Sequence, residues 1–165
     1  MSRDVPTLTD HQAIANLVHA LAEAIDDADF DAVEARAAGL VFTLDDHPPV
    51  VGAPAFRQML ERGLMLHDGS PACQHVVTNL AVTVDAEAGT AEARSAVTVL
   101  QGLADFPLQV VLAGRYTDHF TRAPATGSGS VPLSGDPYGG WRFASRHLRV
   151  VLRGDTSRHT NHQRV

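Results

Sequence analysis

Side chains able to move protons or hold ions are unevenly placed along this chain. Nine histidines and one cysteine, Cys73, stand among 19 acidic and 13 basic residues. Three acids crowd the stretch Ala24-Ile25-Asp26-Asp27-Ala28-Asp29-Phe30. His75 lies in Gln74-His75-Val76-Val77-Thr78-Asn79, and Arg146 closes Gly140-Trp141-Arg142-Phe143-Ala144-Ser145-Arg146. An imidazole titrates near ~6.5, so histidine is the natural proton acceptor around neutral pH. Arginine keeps its charge and can hold an anionic oxygen or a halide, or sequester a carboxylate. Each residue also has a purely structural reading. Asp26 can be the solvated end of a helix, His75 a core histidine bonded to a backbone carbonyl, and Arg146 an outward charge on a sheet. Tyr116, His119 and His147 are further candidates for a pocket wall.

Other chemistries are disfavoured. No two histidines have the four-residue helical spacing of a zinc protease, and no Cys/His cluster exists. One cysteine rules out an internal disulfide and a four-cysteine zinc site. There is no phosphate loop, dinucleotide fingerprint or Gly-x-Ser-x-Gly elbow, and Gly127-Ser128-Gly129-Ser130 is linker-like. No metal and no cofactor is expected. The formal net charge is −6 and the arginines are scattered, which argues against nucleic acid. No apolar run approaches the ~18–20 residues that span a bilayer. Met1-Ser2-Arg3-Asp4-Val5-Pro6 lacks the apolar stretch of a signal peptide, so a cytoplasmic protein is expected.

Periodicity supplies the frame. Ile14, Leu17, Val18, Leu21, Ile25 and Ala28 recur at three- and four-residue steps, which predicts a helix with one apolar face. Thr9 and Gln12 have capping-box spacing and place its start near Thr9 or Asp10. Asp29 can cap a short second helix that stops at Gly39. Residues 40–44 read as a strand broken by Asp45-Asp46-His47-Pro48-Pro49. Pro54 suits the first turn of a third helix with Phe56, Met59, Leu60 and Leu64 on its apolar side. From residue 73 the period becomes two, predicting strands over 73–84, 91–101, 108–121 and 141–153. Residues 123–140 are rich in Pro, Gly and Ser and read as a long hairpin loop. At 44% hydrophobic and 19% charged, residues 1–153 make one domain, and residues 154–165 a loose polar tail.

Four stretches in this order resemble the SnoaL-like branch of the nuclear transport factor 2 (NTF2-like) superfamily. They are Ala24 to Phe30, Gln74 to Asn79, Gly114-Arg115-Tyr116-Thr117-Asp118-His119-Phe120, and Gly140 to Arg146. The likeness spans roughly residues 9–150. It implies an α+β fold: a cone-shaped α+β barrel, with three N-terminal helices packed in a curved, mostly antiparallel sheet around one central pocket. That branch includes scytalone dehydratase, a lindane dehydrochlorinase and polyketide cyclases. In its eliminating members an Asp on the first helix pairs with a His on the first long strand. Those positions match Asp26 and His75, and the dehydrochlorinase arginine matches Arg146. The accessory polar groups are not kept: their positions fall at Leu21, Ile25 and Val99 or Leu100.

The resemblance therefore implies Asp26, His75 and Arg146 as catalytic residues. In such a pair the carboxylate fixes the imidazole tautomer and steadies the imidazolium that forms, a device worth ~10²–10⁴-fold. The expected function is a cofactor-independent lyase or isomerase, dehydratase-like, acting on a small hydrophobic molecule, cyclic or not. The pocket walls would be Leu17, Leu21, Phe56, Leu60 and Val77. The alternative is a non-catalytic binding or assembly module, like the small subunit of ring-hydroxylating dioxygenases. Either way a homodimer or homotrimer is expected, because Leu148, Val150 and Leu152 lie opposite Val151 on a sheet with two apolar faces.

Overall fold

The computed structural model describes residues 8–122 and 136–161. Most of the 123–140 hairpin loop lies outside the described residues, as does His162. Helix α1 runs Asp10–Asp26, α2 Phe30–Arg36 and α3 Ala53–Gly63. The strands are β1 Val41–Leu44, β2 Val50–Val51, β3 Cys73–Asp85, β4 Thr90–Leu103, β5 Phe106–Arg122 and β6 Trp141–Arg153.

Local signals set the helix ends. The Gln12 backbone N–H donates to Thr9 Oγ1 (3.2 Å), and the Thr9 N–H donates to Gln12 Oε1 (2.9 Å), closing the capping box. Asp29 Oδ1 accepts from the Ala32 N–H (2.9 Å) and starts α2. Gly39 then turns the chain into β1 with φ +82°, where a Cβ would come within 3.0 Å of the Phe143 carbonyl oxygen. Trp141 Nε1 donates to Asp10 Oδ1 (3.1 Å) and ties the start of α1 to the start of β6. The apolar face of α1 packs with Val33, Leu40, Phe42, Phe56, Phe120 and Phe143 into the main core.

The six strands form one sheet in the order β2-β1-β6-β5-β4-β3. β1 runs parallel to β6 and the other pairings are antiparallel. This corrects the expected cone-shaped barrel. The sheet is open and mixed, with β2 and β3 as separate edges. β2 has only two residues after the Pro48-Pro49 break, which is too little ladder to close against β3. The parallel β1 was not legible because α3 separates it in sequence from the long strands it joins.

The edge at β3 is met by the end of α1, and this junction positions the candidate site. Residues 154–161 correct a second expectation. They are not a loose tail but a strap docked across the end of the sheet. Asn161 N–H donates to Gly63 O (2.8 Å), Met65 N–H to His159 O (3.0 Å) and Gly154 N–H to Val111 O (3.0 Å). Gln101 Nε2 also donates to the Arg158 carbonyl (2.9 Å), and His67 Nε2 lies 2.8 Å from the same oxygen. No described helix is long and apolar enough to cross a membrane.

Candidate functional site

Asp26 is the last residue of α1, and its side chain reaches the exposed edge of β3. An edge strand leaves backbone N–H groups unpaired. Asp26 uses one of them: its Oδ2 accepts from the His75 N–H at 2.8 Å. Its Oδ1 lies 2.6 Å from His75 Nδ1 and 3.4 Å from Cys73 Sγ. The backbone bond therefore fixes β3 against the carboxylate that also meets the imidazole. Asn79, at φ +53°, marks a register shift between Thr78 and Ala81 that separates this end of β3 from the rest.

An ionised carboxylate only accepts, so the short contact places a proton on His75 Nδ1. Nε2 has no hydrogen-bond partner among the described residues, and the neutral ring carries its lone pair there. The side chains of His75 and Asp26 are 11% and 16% exposed, dry enough for the charge to count and open enough for a ligand to reach. A cleft of about 760 Å³ between α1 and β3 is lined by both, together with His19, Cys73, Gln74 and Val77. Of the expected apolar walls only Val77 lines it. Leu17, Leu21 and Phe56 are buried in the main core, and Leu60 packs against it.

Asp26, Cys73 and His75 also form a trio whose ligand atoms lie within 4.8 Å of one another, a geometry that could hold a metal ion. A metal would have to displace the thiol proton. Burial pushes the Cys73 thiol up, and the charge and hydrogen bond of Asp26 push it further. That opposes thiolate formation and leaves Cys73 as a donor to Asp26.

Arg146 is engaged by a different carboxylate. Its Nε and Nη2 donate to the two oxygens of Asp118 at 2.8 and 2.7 Å. The two side chains are 3% and 1% exposed. The guanidinium also stacks 4.0 Å from the Tyr116 ring centroid and 4.8 Å from that of Phe143. Burial works against the charge on Arg146, but Asp118 outweighs it and raises its pKa. Burial likewise raises the Tyr116 phenol; Arg146 opposes this, and Asp118 and Asp26 add to it. Of the readings open for Arg146, the geometry matches sequestration of a carboxylate. His119 and His147 are exposed, and His147 Nε2 lies 3.2 Å from the Asp45 carbonyl.

Sequence reading missed His159 and Gln101. His159, in the stretch expected to be a loose polar tail, is 6% exposed. Burial, and then the repulsion that arises if its imidazole and that of His75 are both protonated, push its pKa down to about 4, with Asp26 opposing. No periodicity in residues 154–161 signalled this. Gln101 carried a signal: it occupies the inward side of β4 after Ser95, Val97 and Val99, where an alternating apolar face predicts another aliphatic residue.

Known proteins share this outline. No curated protein matches the chain. An NTF2-like protein with a cystatin-like fold from Novosphingobium aromaticivorans superposes with TM-score 0.65 at 18% identity, over 90% of this chain and 85% of that one. The protein Aln2 from a Streptomyces species gives TM-score 0.64 at 17% identity, over 89% and 94%. A protein provisionally assigned as a scytalone dehydratase from Novosphingobium aromaticivorans gives 0.62 at 17%, over 87% and 85%. At these identities the likeness is one of fold. The model of the SnoaL-like domain matches residues 6–147, which is most of the sequence. The chain thus belongs to the SnoaL-like family of the NTF2-like superfamily.

Proposed function

We propose that this chain is a cofactor-independent lyase or isomerase that takes a proton from carbon in a small, largely apolar, cyclic molecule. The observation that carries this reading is the 2.6 Å contact between Asp26 Oδ1 and His75 Nδ1, beside an open cleft. The Nε2 lone pair of His75 accepts the proton from the carbon next to the leaving group. Asp26 steadies the imidazolium, the carbon–carbon double bond forms, and the bond to the leaving group breaks. In an elimination the imidazolium gives its proton to the departing hydroxide, which leaves as water; in an isomerisation no leaving group departs, the double bond shifts and the proton returns to another carbon. Cys73 donates a hydrogen bond to Asp26 and helps fix its orientation. Arg146 is not free for an anion in this scheme. It acts as a positioning residue that holds Asp118 and the Tyr116 ring.

The test uses a panel of cyclic β-hydroxy ketones, followed by the absorbance of the enone product. Wild-type turnover should fall by ~10²–10⁴-fold in His75→Gln and by a comparable factor in Asp26→Asn. Turnover unchanged by His75→Gln would overturn the reading.

One observation favours the alternative, a non-catalytic assembly module. Leu108, Val110, Val151 and Leu152 are exposed on β5 and β6, with Leu108 74% exposed. Exposed aliphatic side chains of this kind are normally covered by a partner, and a homodimer or homotrimer would cover them. Light scattering of the wild type and of Leu108→Glu/Leu152→Glu would show whether these residues set the mass. Mass spectrometry of the native protein separates the two readings: a co-purifying small molecule belongs to the enzyme.

A further inference from the structure

The strands turn Ala93, Phe120 and Phe143 into the core beneath the helices, so their alternate residues face outward. On that outer face Arg115 of β5 stands directly opposite Arg149 of β6, with Ala96 of β4 on its other side. Two residues further along β5, Thr117 stands between Arg94 and His147. Short side chains therefore alternate with long cationic ones. The result is a hollow of about 460 Å³, in which Arg94, Arg115, His147 and Arg149 meet around Ala96 and Thr117. All four basic residues are exposed.

The charges in this cleft are not balanced. Arg94 Nε donates to Glu92 (2.8 Å), and His147 Nε2 lies 3.2 Å from the Asp45 carbonyl oxygen. The Asp45 carboxylate accepts from the Val150 N–H (2.8 Å). Arg115 and Arg149 have no carboxylate partner among the described residues. Like charges directly opposite on a sheet repel, yet a chain with net charge −6 gathers them here. Asn79 lines the same cleft. It stands at the register shift of β3, with φ +53°, and such a bulge re-aims a side chain. Its amide adds two N–H donors and no charge.

We propose that this outer cleft binds the phosphate group of a small phosphate monoester. Such a group carries a charge of about −1.5 to −2 near pH 7, which matches the two unbalanced guanidinium groups. Their planar forks fit phosphate oxygens in pairs. A carboxylate brings one charge and leaves the repulsion between Arg115 and Arg149 half relieved. The cleft is far larger than a phosphate ion and lies within the ~300–1,000 Å³ of small-molecule sites. An organic group therefore has room beside Ala96 and the Thr117 methyl. A concave site of this size suits a small molecule better than the flat surface of an acidic protein. His75 stands opposite Val99, which is buried on the helix side of the sheet. The cleft is thus separate from the Asp26–His75 pair, and the proposal does not rest on the catalytic reading.

Phenyl phosphate is the probe, with benzoate and inorganic phosphate for comparison, titrated at one ionic strength and followed by proton–nitrogen resonance of the backbone amides. Phenyl phosphate should saturate and shift the amides of Ala96, Arg115, Thr117 and Arg149. It should bind about tenfold or more tighter than benzoate, the ratio of one charge-assisted hydrogen bond. It should also bind tighter than inorganic phosphate, which lacks the ring. Arg115→Gln and Arg149→Gln should each weaken binding by about tenfold or more. Both variants should be at least as stable as the wild type in urea without ligand, because each removes one of two opposed like charges. No saturation, equal affinity for benzoate, shifts confined to the α1–β3 cleft, or affinity unchanged in both variants would overturn the proposal. A variant less stable than the wild type would overturn it too, by showing that its arginine is already satisfied within the chain. Inorganic phosphate bound as tightly as phenyl phosphate would replace the monoester by the free ion, and a poly-glutamate peptide bound more tightly would assign the face to an acidic protein.

Discussion

Replacing Asp118 by Asn is the sharpest test of how the interior is built. The change keeps the shape but removes the charge that balances Arg146. Two charge-assisted bonds, at 2.8 and 2.7 Å, join these side chains, which are 3% and 1% exposed. Breaking a buried pair from one side costs about 3–5 kcal/mol, because the remaining charge is left without compensation in a poorly polarisable interior. Total stability for a domain is about 5–15 kcal/mol, so this is a large share. At about 2–4 °C per kcal/mol for a chain of this size, Tm should drop by roughly 6–20 °C. Urea unfolding followed by circular dichroism measures the loss directly. Removing both charges in Asp118→Leu/Arg146→Met should recover most of it, since apolar replacements of similar volume tolerate such sites. A loss below ~1 kcal/mol for Asp118→Asn would refute the reasoning, because that is the value of a solvated pair. So would a double variant no more stable than the single one.

Three further outcomes follow from other parts of the fold. The drop of the His159 pKa from 6.5 to about 4, at about 1.4 kcal/mol per unit, corresponds to roughly 3 kcal/mol. The unfolded ring binds the proton more tightly, so this stability is full above pH 6.5 and is lost as pH falls from 6.5 towards 4. Unfolding free energies across that window should flatten in His159→Phe, and an unchanged slope would contradict the buried neutral ring. Cys73 should react with a thiol reagent far more slowly in the native protein than in urea, since burial and Asp26 hold it protonated; native labelling as fast as the unfolded thiol would contradict this. Gly114→Ala would bring a Cβ within 2.7 Å of the Arg149 carbonyl oxygen and 2.8 Å of Leu148 Cδ1. It should cost about 1–3 kcal/mol in a chemical denaturation curve, and a neutral effect would mean that β5 and β6 can separate there.

Helix and strand placement was largely legible because the signals are local. Thr9 and Gln12 announced the first cap, Asp29 the second, and the change to period two at residue 73 announced the long strands. What escaped depends on long-range pairing. β1 joins β6 in parallel across more than half the chain, and nothing in Leu40-Val41-Phe42-Thr43-Leu44 encodes that partner. The open sheet escaped for the same reason, since closure is decided by edges and not by any one strand. At the site, Asp26 and His75 were found through a family resemblance, whereas spacing alone left each open to a structural role. Arg146 lay beyond local reading because its partner, Asp118, sits on the neighbouring strand. His159 was hidden in a polar segment whose docking depends on backbone carbonyls, which no side-chain pattern reveals.

In the proposed reaction Asp26 sets His75 up as a proton acceptor, and the tautomer of His75 reports whether it does. Long-range proton–nitrogen resonance spectra of the uniformly labelled protein distinguish the two ring nitrogens of each histidine. Neutral His75 should carry its proton on Nδ1, in a strong hydrogen bond to Asp26, with a bare Nε2 towards the ligand. In Asp26→Asn that strong hydrogen bond should disappear. A neutral His75 with its proton on Nε2, or one whose Nδ1 resonance is indifferent to Asp26→Asn, would contradict it.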